Sequence, residues 1–196
     1  MTRKVSFFIG LCLITAIGFS QRVYVNAHIL DRVSSPSSDT IYYSLDRPLA
    51  WSDFQGNAED NSDAGAVTSS GFGYGAGITT RGDNIYIDLG VYTYFSRSHS
   101  WRKSMIHTPY HLEHEQHHFD ITMLGAEKFC DAIRKAHFTK DNYKQLLDDV
   151  FEKMFKENTD LQDRYDNDTE HSINKDRQYV WNNRINEIIG RSVAAQ

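Results

Sequence analysis

Five of the nine histidines of this 196-residue chain fall between His107 and His118, and the segment His114-Glu115-Gln116-His117-His118 has the spacing H-E-x-x-H. On a helix, residues four apart lie on one face a turn apart, so His114 and His118 can offer imidazole nitrogens to a single ion. Glu115 sits about 100° further around the helix. From there its carboxylate reaches a water beside the ion without being a ligand, which is the position of a general base. Neutral imidazoles favour zinc, and three protein ligands leave a fourth position open for chemistry. The composition gives a chance expectation of roughly 0.02 such matches in the chain.

Two histidines and a base need a third ligand. Glu127, nine residues past His118, lies too far along the helix to reach the same ion. The polar run Tyr165-Asp166-Asn167-Asp168-Thr169-Glu170-His171 offers His171 or Glu170, and the chemistry of the two leaves that choice open. Rival sets exist within the cluster. His111, His114 and His118 form an i, i+3, i+7 ladder and His114 with His117 an i, i+3 pair, but neither leaves a carboxylate in the base position.

The elements that must position these groups follow from patterning. Thr108 is an N-cap with Pro109 at the first helical position, and Leu112, Phe119, Met123, Ala126, Cys130 and Ile133 recur at helical spacing, predicting a helix from Pro109 to Ala136. A second is expected over Lys140–Glu157 and a third over Asn174–Gly190; Asn158–Ile173, without apolar periodicity, reads as a polar connection. Upstream, Val67–Thr80 and Ile85–Phe95 flank the turn Arg81-Gly82-Asp83-Asn84 and read as a hairpin. Gly71, Gly73, Gly75 and Gly77 leave one strand face bare for a close neighbour, so the formal G-x-G-x-x-A match at Gly71–Ala76 is strand chemistry, not a dinucleotide loop. Strands first and helices afterwards predict an α+β fold, a small antiparallel sheet packed on helices.

Residues 1–20 read as a signal peptide: Arg3 and Lys4, then an apolar run from Val5 to Phe19. Residues 21–39 read as an N-terminal strand and linker, and 40–196 as a single domain. Export implies a secreted or periplasmic chain, with no membrane partner once the leader is cut. Cys130 alone cannot close an intrachain bridge after cleavage and falls on an apolar helix stripe, so it reads as a small core residue. With 21 basic against 26 acidic side chains and no basic block, nothing points to nucleic acid.

Trp51-Ser52-Asp53-Phe54-Gln55-Gly56, His114-Glu115-Gln116-His117-His118-Phe119-Asp120, and Tyr165-Asp166 followed by Thr169, His171, Gln178 and Trp181 together resemble the secreted bacterial family called domain of unknown function 922. The resemblance covers nearly all the chain after the leader. It implies a zincin-like architecture and a zinc-dependent peptidase: one Zn²⁺ on His114, His118 and His171, Glu115 as catalytic base, a peptide or protein as substrate. Asp166 or Thr169 would then orient the His171 ring. Many members place glycine where this chain has Ser172. Two alternatives stand beside this reading, an exported metal-binding or partner-binding protein without catalysis and an amidase acting on cell-wall peptides.

Overall fold

The computed structural model describes residues 22–30 and 38–194; the expected leader lies outside them. Six strands are followed by three helices: β1 (Val23–Ile29), β2 (Thr40–Tyr42), β3 (Ala66–Val67), β4 (Ser70–Arg81), β5 (Asn84–Ser96), β6 (Trp101–Arg102), α1 (Pro109–Lys135), α2 (Tyr143–Thr169) and α3 (Lys175–Ala194). The architecture is α+β, as the patterning predicts. No helix of the described residues is long and apolar enough to cross a membrane.

β5 is the axis of a four-stranded sheet. Its whole length pairs antiparallel with β4, while its other edge is shared by β1, parallel, and β2, antiparallel. The sheet is thus mixed where an antiparallel one was expected. β1 belongs to it and buries Ala27, so the folded unit includes residues before Thr40. Alternation along β5 sets its faces: Ile87, Leu89, Val91, Thr93 and Phe95 are buried, and Tyr86, Asp88, Tyr92 and Tyr94 point the other way. On that second face a Cβ at Gly71 or Gly73 would lie under 3 Å from the Tyr94 or Tyr92 hydroxyl, so the close neighbours the glycines admit are tyrosines of the adjacent strand.

The buried face of the sheet packs on α1 and α2 through Phe72, Leu89, Val91, Ala126, Phe129, Cys130 and Ile133. Cys130 is 1% exposed, and burial raises its thiol to about 11, in keeping with a core residue. The two helices run antiparallel, His114 opposite Asp166 and Ile121 opposite Asn158. α2 runs about three turns past its expected end, because Asn158–Thr169, read as a connection, continues the helix.

The Trp51-Ser52-Asp53-Phe54-Gln55-Gly56 segment braces the back of α1. The buried Asp53 carboxylate accepts from the Ala50 amide at 2.8 Å and from the Arg47 guanidinium at 2.8 and 3.2 Å, closing a single 3₁₀ turn. Leu49 and Phe54 then pack with Phe95 and Phe119, and the Leu49 amide donates to Gln116 Oε1 at 2.7 Å, fixing the loop to the middle of the H-E-x-x-H segment. At Gly56 a Cβ would stand 2.6 Å from the Ser98 carbonyl and 3.0 Å from that of Ser100. Neither backbone atom can yield without moving the turn. Gly56→Ala is expected to cost about 1–3 kcal/mol by overpacking, read as a lower urea midpoint at unchanged slope.

Candidate metal centre

α1 starts as the sequence predicts: Pro109 follows Thr108, whose hydroxyl accepts from the His111 amide at 3.3 Å. This sets the phase that turns His114, Glu115 and His118 toward one cleft of about 700 Å³, lined also by Thr68, Asp166 and His171. His114 is 4% exposed and Glu115 5%. His114 Nε2 and His118 Nε2 are 3.3 Å apart, and Asp166 Oδ1 lies 3.1 Å from the first and 3.0 Å from the second. Among the described residues, His114, His118 and Asp166 form the group that can hold a metal ion.

Two glutamines decide which imidazole nitrogens carry hydrogen. Gln162 Nε2 donates to the His118 carbonyl at 2.9 Å, an obligate acceptor, so its oxygen must be the atom 2.6 Å from His118 Nδ1. Gln178 Nε2 donates to Asn182 Oδ1 and to the Tyr165 hydroxyl, whose own hydrogen goes to the His114 carbonyl; its oxygen therefore faces His114 Nδ1 at 2.8 Å. Both Nδ1 atoms are donors. In the neutral rings both Nε2 lone pairs then converge on a carboxylate oxygen, an arrangement that repels itself unless a positive species sits among the three atoms. Outer partners that fix the tautomer in this way are what metal-binding histidines require.

Around this group the packing is tight. Tyr165 is fully buried, stacks on His114 at 4.7 Å with 22° between the rings, and meets His118 edge-on at 5.0 Å. Its hydroxyl is spent on Gln178 and the His114 carbonyl, so Tyr165 is a wall of the site. Thr68 donates to Glu115 Oε2 at 2.7 Å and so fixes one oxygen of that carboxylate.

The remaining histidines of the cluster have other partners. His117 turns to the far side of α1, where its Nδ1 meets Asp120 at 2.8 Å within a set that includes the partly buried Tyr43 and Gln116. His111 bonds Thr108 Oγ1 at 2.7 Å on the cleft lining. His171 stands on the rim with its side chain 65% exposed and its Nδ1 3.6 Å from Asp166 Oδ2. The Glu170 carboxylate accepts from Asn174 at 3.1 Å.

These two residues and Ser172 form a left-handed turn after α2, with φ of 51°, 52° and 71°. Such backbone costs roughly 1–2 kcal/mol per residue for L side chains. It is held by the His171 amide on the Asp166 carbonyl at 3.0 Å, the Asn174 amide on the Thr169 carbonyl at 2.8 Å, and Tyr110 Oη donating to the Ser172 carbonyl at 2.6 Å. A glycine at 172 would relieve the largest of the three angles.

Asp166, Gln162 and Thr68 are positions of this candidate site that apolar patterning missed. The signal was polar: Asn158, Gln162 and Asp166 recur every four residues on α2, matching the i, i+4 pair on α1. Compared with models of known families, with curated proteins and with solved structures, the chain matches none.

Burial by itself would lower the pKa of His118, but the Asp166 carboxylate, the Glu115 charge and the Gln162 oxygen raise it to about 9. Burial acts upward on Asp166, and the two imidazoles outweigh it, holding the carboxyl well below its usual range. A raised histidine stabilises the fold fully below its ordinary value of 6.5 and ceases to as pH climbs through about 9. A lowered carboxyl contributes above 3.8 and fails only as pH falls through its folded value. Chelator-treated protein should therefore lose stability between pH 6.5 and about 9, and Asp166→Asn should flatten that slope, both read from urea midpoints across the range.

Proposed function

We propose that the protein is an exported zinc-dependent hydrolase of zincin type, a peptidase, in which His114, His118 and Asp166 hold the ion and Glu115 is the base. One observation carries this reading: three electron-pair donors converge beside a buried carboxylate in a cleft of about 700 Å³. The donor set fits zinc, since two tautomer-fixed imidazoles and one carboxylate are a catalytic combination that leaves a position open. A bound zinc supplies Lewis acidity toward water and toward a carbonyl.

The chain's own residues do the rest. Glu115, held at Oε2 by Thr68, keeps its other oxygen for taking a proton from water and passing it to the leaving amine. Asp166, tied to two rings through one oxygen, keeps the imidazoles aimed at a common point. Tyr165 and Gln178 exclude water from behind His114. Among the described residues three donors converge in an open cleft, one fewer than the protein ligands of a structural zinc.

The resemblance to domain of unknown function 922 assigns the third ligand to His171, whereas the distances favour Asp166. Zinc affinity by chelator competition separates them. The parent should hold about one zinc. His114→Ala, His118→Ala and Asp166→Ala should each lose it, and His171→Ala should stay within severalfold of the parent, as should Glu170→Ala. Severe loss in His171→Ala with retention in Asp166→Ala would return the position to His171.

Glu115→Gln should keep zinc and fold while peptide hydrolysis falls by about 10²–10⁴-fold, the loss of a general base. Thr68→Val should lower kcat by roughly tenfold at constant zinc content, with Thr68→Ser restoring it, because the hydroxyl acts only through the Glu115 carboxylate. Parental rates in Glu115→Gln would exclude this chemistry.

A further inference from the structure

The cleft has a direction. Segment 65–72 runs alongside α1: Gly65 abuts the Ile106 side chain, Thr68 reaches Glu115, Ser70 meets Thr122 at 2.7 Å, and the Phe72 ring lies 6.1 Å from that of Phe129. α2 runs along the opposite side. The metal group lies between these walls, and the two ends of the cleft are of one chemical kind. Beyond the left-handed turn stand Ile173 and Met105, 76% and 74% exposed, and at the far end Phe155, 48% exposed.

Ile173 and Met105 are the two most exposed large apolar side chains of the described residues, and with the half-exposed Phe155 they line this cleft. Met105 and Ile173 gain little from folding, since most of their surface stays in water. Phe155 differs in packing against Phe72 and Phe151 while also lining the cleft. Phe155 and Asp166 are eleven residues apart on α2, about 16 Å, which an extended chain covers in about five residues. Outside the metal group and Glu115, neither charged lining residue is a buried charge lacking a partner. The Lys103 ammonium already donates to the Ser62 carbonyl, and Asp63 is solvent-exposed.

We infer that the cleft binds the interior of an extended peptide bearing large apolar side chains, one seated between Met105 and Ile173 beside the metal group and another against Phe155. This rests on the hydrolase reading above and adds the substrate class and the residues that select it. An apolar side chain moved from water into such a seat is worth about 1.5–3 kcal/mol, roughly tenfold or more in affinity.

The test is binding by fluorescence anisotropy to the zinc-loaded Glu115→Gln protein, which holds peptides without cutting them. The probes are two fluorescein-labelled nonapeptides with blocked ends, one of Gly and Ser only, the other with central Phe and Leu. The apolar peptide should bind about tenfold more tightly or better. Met105→Ser and Ile173→Ser, at exposed positions whose replacement spares the core, should each reduce that preference severalfold at unchanged zinc content. Equal binding of the two peptides, no binding of either, a preference indifferent to both variants, or a requirement for free termini would overturn the inference. A retained preference in a parent chain that cuts neither peptide would leave the cleft assignment standing and remove the hydrolase reading alone.

Discussion

Three electron pairs aimed at one point, on two imidazole nitrogens and a carboxylate oxygen, are the constraint around which the helical half of this protein is organised. Without a positive species between them they repel, and the interior dielectric strengthens that repulsion. Everything that touches the group keeps it aimed. Gln162 and Gln178 lock the tautomers from two different helices, Tyr165 stacks on one ring and abuts the other, and Thr169 ties its hydroxyl to the Tyr165 carbonyl at 2.8 Å. The α1–α2 interface accordingly changes character along its length. Around Phe129 and Leu147 it is hydrocarbon; from Asn158 to Asp166 it is a set of hydrogen bonds to α1.

That change explains what could be read from the sequence and what could not. α1 was legible almost to the residue because its cap, its N-terminal proline and its apolar stripe agree. β5 was legible because strict alternation sorted its core residues. The second half of α2 was not, since apolar periodicity reports faces that bury hydrocarbon and this face buries amides, a carboxylate and a phenol. Apolar patterning therefore leaves Asp166 in a loop, as a support for His171, whereas the extended helix brings its carboxylate within 3.1 Å of both the His114 and His118 rings. The parallel pairing of β1 was equally hidden, because a short strand carries no mark of its partner's direction.

The turn at Glu170–Ser172 is where local preference and global demand conflict most. Three successive left-handed residues without a glycine are poor local chemistry, yet they bring the chain from the end of α2 to the start of α3 with the rim of the cleft in between. Tyr110, one residue after the proline that opens α1, secures the turn through the Ser172 carbonyl. The strain is thus borne by contacts from the same helix that carries the histidine pair, and rim and floor of the cleft are mechanically one unit.

The donors and their supports are also spread along the chain in a fixed order. His114 and His118 come first, Asp166 some fifty residues later, and Gln178, which sets the tautomer of His114, later still on α3. During synthesis from the N-terminus, the histidine pair leaves the ribosome with neither its carboxylate nor its full set of tautomer locks. Before α2 and α3 pack on α1, the pair is two imidazoles with no fixed tautomer and no shared carboxylate. The three-atom group that can hold an ion therefore exists only when the helical half is complete, so any such site is a property of the finished fold and of no earlier segment of it.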